Sequence, residues 1–358
     1  MKRILALLPG QLGYSPGQRS TIELWEPPLR QAGFVLEYAP FETPALRGAL
    51  GQRGRILLKV QEMRRAYSHR VRLLRDVSGF DAVYVYREAA LIGPALLERW
   101  VARRGLPIIY SLDDPLYIPY VSPSNGWLSY LKFFGKVATI CRLSRVVIVN
   151  SRFHLEYAQR YCPNVRQIPS LIDGNVYRYS PDARRGDPVC VGWSGSPTTA
   201  ANLRLVVQAL TELGRRVNYR LHLIGAERLE IPGVECTAQP WTAESEVQDL
   251  AQLDIGLAPL LDNEWNRRKF NLKVAQYMAL GIVPVATPLG SNPDVIEPGI
   301  DGFLASTTQE WAHHMEVLVR DGARRSGMAE RAARKAHTTF TVQSQTPAIV
   351  DAFRSALP

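Results

Sequence analysis

Short apolar runs recur along the chain, separated by roughly the length of a helix. RILALL (3–8), FVLEYA (34–39), AVYVY (82–86), PIIYSL (107–112) and VVIVN (146–150) mark the first half. VCVGW (189–193), YRLHLIG (219–225), DIGLAPL (254–260) and VPVAT (283–287) mark the second. These runs are rich in β-branched residues, bounded by breakers and not alternating, so they read as buried parallel strands. Amphipathic stretches fill the intervals. IDGNVYRYSPDARRGDP (172–188) is polar, holds Gly and Pro and shows no periodicity, which marks a linker. Strand–helix alternation on both sides predicts an α/β protein of two doubly wound, Rossmann-like domains facing across a cleft. The expected bounds are 1–173, a linker over 174–188, a second domain over 189–340, and a C-terminal helix over 341–358 packing back on the first.

One helical stretch differs from the others. In RGRILLKVQEMRRAYSHRVRLLR (53–75), Ile56, Val60, Met63, Tyr67, Val71 and Leu74 follow helical spacing. Arg53, Lys59, Arg64, Arg65, Arg70, Arg72 and Arg75 cover other faces. Such a helix either lies on anionic lipid or is a domain helix with a solvated basic face. Charge bears on that choice. The chain carries +10 overall, yet residues 1–178 hold 25 Lys+Arg against 13 Asp+Glu, while residues 179–358 hold 18 against 20. The first half is therefore the one expected to approach something anionic.

Composition sets outer bounds. With 46% apolar and 21% charged residues among 358, the chain is an ordinary globular one. MKRILALLPG has two basic residues and an apolar run, but the run stops at Pro9-Gly10, short of a signal h-region, and no window approaches a membrane span. Cys141, Cys162, Cys190 and Cys236 are scattered without zinc or disulfide spacing and read as core thiols. The expected location is cytoplasmic, with possible peripheral attachment at the inner membrane face.

Candidate chemistry lies in loops after strands, ahead of helix starts. PGQLGYSPGQRS (9–20) places Gly17 and Arg19 after the first strand. GWSGSPTTAANL (192–203) offers Gly195 and Ser196 as phosphate donors, with Thr198 or Thr199 as a plain N-cap alternative. The strongest stretch is PLLDNEWNRRKFNLKVAQYMALGIVPVATPLGSN (259–292). Its helix is expected to open on Arg267, Arg268 and Lys269, with Lys273 one turn on. Cations are disfavoured at the positive end of a helix, so crowding them there suggests a bound anion. Lys269 and Lys273, four apart on one face, could both reach a diphosphate; alternatively they are solvated or paired with Asp262 and Glu264. In IIYSLDDPLY (108–117), Asp113 and Asp114 could bond hydroxyls and stabilise developing positive charge, or cap a helix, or bind a divalent ion.

KVAQYMALGIVPVATPLGSNPDVIEPGIDGFLA resembles the donor-site region of family 4 glycosyltransferases of the GT-B fold. That family shows a Glu, seven residues, a second Glu, then Ala-Met-Ala-x-Gly-x-Pro-Val-Val-Ala, followed by a glycine loop. SPGQR, LRQAGFVLEY, VVIVNSRFHLEYA, QIPSLIDGNVY and DLAQLDIGLAPL are similar to family segments in the same order, so the resemblance spans nearly the whole chain. It implies a first domain on the acceptor side and a second that binds a nucleotide sugar. Gln276 falls at the second glutamate, which in the family bonds ribose hydroxyls. Arg268 falls at the first, which binds the donor sugar; the departure implies that Glu264, or the stretch Lys269-Phe270-Asn271, contributes instead. Leu272 and the Gly290-Ser291-Asn292 loop complete the implied donor site. Trp241 matches the position that meets the base, and core packing is the alternative. The family's Arg and Lys after the first strand of the second domain are missing, the chain reading Trp193 and Thr198 or Thr199 there, so Lys269 and Lys273 are implied to hold the diphosphate.

The resemblance implies retaining transfer of a sugar from a UDP- or GDP-linked donor to a hydroxyl acceptor, without metal or further cofactor. The acceptor would be a polysaccharide, a lipid-linked intermediate or a small glycoside. A sugar-nucleotide epimerase of the same fold and a non-catalytic nucleotide binder remain alternatives. Nucleic acid is not an expected partner, because aromatic residues are not interleaved with the basic ones.

Overall fold

The computed structural model describes residues 1–13, 15–52, 54–121, 125–181 and 187–357. Arg53 and residues 182–186 of the expected linker lie outside the described residues. The chain divides into two compact units: Met1–Ser170 with the chain end from Gln345 onward, and Leu171–Ser344.

The first unit is built on a six-stranded parallel sheet of β1 (Lys2–Leu8), β2 (Phe34–Pro40), β3 (Ala82–Tyr86), β4 (Ile108–Leu112), β5 (Val146–Val149) and β6 (Val165–Gln167), in the order β2-β1-β3-β4-β5-β6. β3, β4 and β5 are buried along their whole length, as parallel strands covered on both faces must be. The helix Val342–Ala356 brings Phe353 against this sheet, stacked on Tyr84 with ring centroids 5.7 Å apart.

The second unit repeats the plan with β7 (Cys190–Ser194), β8 (Arg220–Ile224), β9 (Glu235–Gln239), β10 (Ile255–Ala258), β11 (Val283–Ala286) and β12 (Phe303–Leu304), in the order β12-β11-β10-β7-β8-β9. Residues 171–181 belong to this unit: Ile172 bridges to Thr341, and Tyr177 is buried in its core. Every apolar run singled out in the sequence is a strand. β6, β9 and β12 carry no such run: β6 is VRQ, β9 is ECTAQ and β12 has two residues. Each closes a sheet edge or flank, where polar residues are tolerated. All four cysteines are buried free thiols, and burial pushes Cys141 and Cys190 up to about 12.

The topology locates the places where ligands can bind. In the first sheet the chain leaves β1 for β2 on one side and crosses to β3 on the other. In the second it leaves β7 for β8 and β9, then crosses to β10. In open α/β sheets, such switch points are where the loops beyond the strand ends diverge and ligands bind.

The basic helix runs over Ile56–Arg75. Met63, Tyr67, Val71 and Leu74 pack into the first unit's core, as the spacing predicts, but Ile56 and Val60 of the same expected face stay exposed. Its cations do not all cover the outside, contrary to the sequence expectation. Arg70 is 1% exposed and Lys59 4%, because the helix is sunk deep enough that two basic side chains meet interior acceptors. Arg70 donates to the carbonyls of Leu8 and Ala39 at the ends of β1 and β2.

Candidate functional site

Each switch point carries a cluster of polar side chains, and the two clusters are chemically different.

At the β1/β3 point, Arg87 follows β3 directly in a left-handed conformation (φ 63°), uncommon for a residue with a side chain. Its amide donates to Ser111 O and its carbonyl accepts from Tyr110 Oη, each at 2.9 Å, which fixes the backbone. Its guanidinium grips Asp113 through Nε–Oδ1 at 2.6 Å and Nη2–Oδ2 at 2.8 Å, and reaches Asp114 Oδ2 at 2.5 Å. Tyr86 Oη donates to Asp113 Oδ2 at 2.6 Å, and Asn150 Nδ2 to the Asp113 carbonyl at 3.0 Å. Burial opposes ionisation of Asp113, but the Arg87 charge and the bonds from Arg87 and Tyr86 prevail and hold its carboxyl below the usual range. Gly17 lies against this group: a Cβ there would come within 2.7 Å of Asp113 Oδ2 and 2.8 Å of both Arg87 Nη2 and Tyr86 Oη. Arg19 follows in a π-helical turn, Arg19–Glu23.

This arrangement changes the role of the acid pair. Asp113 is 6% exposed with both oxygens engaged, so it is a positioning residue for Arg87. Asp114, with a more accessible carboxylate, is the member of the pair able to meet a ligand. Arg87, Tyr86 and Asn150 escaped the sequence reading. The available signal was a cation immediately after a buried strand, opposite a strand ending in two acids.

At the β7/β10 point the expected helix start is corrected. Asn266–Arg268 is a single 3-10 turn, Lys269 to Asn271 is not helical, and the helix runs Leu272–Ala279. Lys269 and Lys273 therefore do not sit one turn apart on a helix. The four basic residues also divide. Arg267 pairs with Asp262 (2.6 Å) and Glu264 (3.1 Å), and Arg268 with Glu264 (2.5 Å). The local acids are thus taken by the arginines, and Glu264 is committed to them. Lys269 and Lys273 have no carboxylate partner among the described residues.

Lys273 is held by packing. Its Nζ lies 4.4 Å from the centroid of the Trp193 ring, a cation–π contact. Burial, and next the Lys269 charge, pull its pKa down to about 7. Trp193 is fully buried in β7 and also underlies Gly195, where a Cβ would be 2.4 Å from the indole. One side chain that looked like a lost ligand is therefore the platform that joins the Gly195 loop to Lys273. Gly225, at the end of β8 with φ 79°, closes the other side: a Cβ would fall 1.9 Å from Gly195 O.

The Gly195-Ser196 loop does not offer free amides, as the sequence reading supposed. Gly195 N donates to Ile224 O at 3.0 Å and Ser196 N to Thr199 Oγ1 at 3.0 Å, since the tight turn after β7 satisfies itself. Thr199 folds back on Ser196 and places no side-chain cap on the following 3-10 helix. The Ser196 and Thr198 hydroxyls, 2.8 Å apart, stay at the surface. Free backbone donors occur instead at the amides of Leu272 and Lys273, which open the helix and have no acceptor among the described residues. Beside them, Asn271 Nδ2 is buried without a hydrogen-bond partner.

The Gly290-Ser291-Asn292 loop braces this start. A Cβ at Gly290 would clash with Lys269 O at 2.5 Å, Ser291 N donates to Lys269 O at 3.1 Å, and Asn271 N donates to Ser291 Oγ at 3.2 Å. Asn292 is buried and bonds Thr287 O. Phe270 is buried in the core facing Phe340. These four shape the site from behind. Leu272, Lys273 and Gln276 share the half-exposed face of the helix.

Gln276 Nε2 donates to Tyr177 Oη at 2.8 Å and Glu246 Oε1 at 3.2 Å. Glu246 also accepts from Trp241 Nε1 at 2.9 Å and Tyr177 Oη at 2.8 Å. Trp241 is thus tied by its indole N–H to this cluster. A carboxylate stands beside Gln276 after all, supplied by Glu246 from a separate helix, Glu246–Leu250. No sequence signal connected residues 30 apart.

Residues 188–321 match a protein-family model described as "Glycosyl transferases group 1". No curated protein matches the chain. Among solved structures, Anabaena Alr3699/HepE in complex with UDP is similar with a TM-score of 0.70 at 16% identity, over 99% of this chain and 100% of that one. Sucrose-phosphate synthase from Thermosynechococcus elongatus gives 0.70 at 13%, over 99% and 98%. The pneumococcal O-GlcNAc transferase GtfA, solved with UDP and GlcNAc, gives 0.58 at 14%, over 80% and 59%. At these identities the likeness is one of fold: two parallel six-stranded α/β units, the GT-B architecture.

Proposed function

We propose that the chain is a retaining, family 4 glycosyltransferase that moves a sugar from a UDP- or GDP-linked donor to a hydroxyl acceptor. The observation that carries this reading is Lys273 seated on Trp193 at the β7/β10 switch point, without an acidic partner and beside two free helix amides. A desolvated cation with adjacent N–H donors is complementary to a diphosphate. The match to a glycosyltransferase model over this unit, and the UDP in the complex of the similar Anabaena Alr3699/HepE, support that choice of anion.

In this reading Lys273, Lys269 and the Leu272 and Lys273 amides neutralise charge on the departing diphosphate, which is electrostatic stabilisation by groups already in place. Ser196 and Thr198 add hydroxyl donors. Gln276 and Glu246 bond the ribose hydroxyls, restoring as a pair what one glutamate does in the family. Trp241 borders the base. The leaving diphosphate accepts the acceptor hydroxyl's proton on the same face of the sugar, so no nucleophile–base pair and no metal is required. Asp114, set by Arg87 and Asp113, is assigned to acceptor hydroxyls on the first unit. The acceptor is a polysaccharide or lipid-linked chain at an anionic membrane face, consistent with the basic first unit.

The test is a thermal-shift panel of UDP, GDP, dTDP, CDP and ADP on wild type, Lys269→Ala and Lys273→Met, followed by turnover with the sugar conjugates of whichever nucleotide binds. A shift with one nucleotide, lost in Lys273→Met, supports the donor site. No shift with any nucleotide defeats it. Binding without turnover of any sugar conjugate would leave the non-catalytic nucleotide binder.

A further inference from the structure

Among the described residues, sixteen large apolar side chains are exposed, and ten of them fall in two short segments of the first unit, 56–60 and 120–133. Leu57 is 87% exposed, at the start of the basic helix, and Trp127 is 67% exposed. Lys59 Nζ, 4% exposed, donates to Asn125 Oδ1 at 2.9 Å beneath the surface, which joins the two segments. Tyr130 and Phe133 are also exposed. Soluble surfaces scatter such residues singly, and their concentration in two joined segments marks a contact.

The charge around the group identifies the contact. Residues 54–75 and 120–136 hold nine Lys+Arg against one Asp+Glu. Arg55, Arg64 and Lys132 are exposed and have no ion-pair partner among the described residues. Aromatic and leucine side chains in segments that also carry unpaired cations match the acyl–headgroup boundary of an anionic bilayer, where rings sit at headgroup depth and cations meet lipid phosphates. No described helix is long and apolar enough to cross a membrane, so the contact is a surface one.

We propose that the first unit docks on anionic lipid by inserting Leu57, Trp127, Tyr130 and Phe133, with Arg55, Arg64 and Lys132 on the headgroups. This differs from a basic helix lying flat on lipid, since from Met63 onward the helix's apolar positions are turned into the core. The inference deepens the membrane-face acceptor proposed above and rests on that part of it; vesicle binding and nucleotide binding are separate measurements, so either can fail alone.

The test is co-sedimentation of the full chain with vesicles of phosphatidylcholine alone and of phosphatidylcholine with phosphatidylglycerol. Wild type is expected on the anionic vesicles only. The Leu57→Glu/Trp127→Glu double variant should lose at least about tenfold in partition, and Arg64→Gln about fivefold. Both keep the wild-type melting temperature and nucleotide shift, because the altered side chains lie on the surface. Equal binding to both vesicles, binding to neither, or unchanged partition of the double variant overturns the proposal. So does self-association through this surface, seen as a sedimenting dimer that Leu57→Glu dissolves.

Discussion

The two switch-point clusters occupy equivalent places in two similar sheets but handle charge in opposite ways. Around β1 and β3, a single arginine is matched to two acids, of which Asp113 is buried with both oxygens hydrogen-bonded. Around β7 and β10, two acids are matched to two arginines at the surface, and two lysines are left over. The first cluster is a finished structure that orients Asp114. The second is unfinished without an anion. Charge that is satisfied internally holds a fold together; charge left unsatisfied in a partly desolvated place is available to a ligand.

The sharpest way to break this contrast is Arg87→Met. It strands the Asp113 carboxylate in the interior, and a loss of about 3–5 kcal/mol is expected in urea unfolding. Adding Asp113→Asn should recover part of it. A loss below about 1 kcal/mol would mean that Asp113 has other adequate partners and that the first cluster is not closed. Gly225→Ala comes next. A Cβ placed 1.9 Å from Gly195 O at positive φ requires the β7 and β8 ends to separate, at a cost of about 2–3 kcal/mol together with the nucleotide shift.

Lys273→Met tests the opposite property. Removing a desolvated, unpaired cation should leave the melting temperature unchanged or slightly raised, while UDP or GDP affinity by calorimetry falls about tenfold or more. A clear loss of stability would show that Lys273 is structural.

A subtler effect follows from its pKa of about 7. The lowered value means the unfolded chain holds more protons than the native one between about pH 7 and the lysine's ordinary value near 10.4. The native state's penalty is therefore present below pH 7 and relieved as pH rises through that window. A bound diphosphate reverses the shift, so binding above pH 7 should take up a proton and weaken towards pH 9. Calorimetry in two buffers of different ionisation enthalpy reads that uptake directly, and binding without it would detach the anion from Lys273. The smallest effect belongs to Arg267→Ala, which removes an exposed pair and should change neither the unfolding midpoint nor nucleotide affinity.

Much of this was legible in the sequence where the signal is local. Nine strands announced themselves as apolar runs, and all but the half-buried edge strand β2 are largely buried, because a parallel strand covered on both faces has no polar alternation to disguise it. Loop chemistry was legible in kind: Gly17, Gly195, the acid pair at 113–114 and the basic stretch at 267–273 all lie at switch points. Their partners were not. Arg87 meets Asp113 across 26 positions, and Gln276 meets Glu246 across 30. Even the basic stretch misled locally, since pattern alone could not tell that Arg267 and Arg268 would form a 3-10 turn and consume the neighbouring acids.

The sequence by itself determined the alternation of strands and helices, and hence two parallel α/β units with loops gathered at the strand ends. It also determined the surplus of cations in the first half. Only the tertiary structure decided which charges cancel, because that depends on distances between strands that are far apart in the chain. It also decided that Trp193 would carry Lys273 instead of a ligand, and that Leu57 and Trp127 would stay exposed while the basic helix from Met63 onward found cover. Periodicity fixes which face of an element is apolar; packing fixes how much of that face is used, and function resides in what packing leaves over.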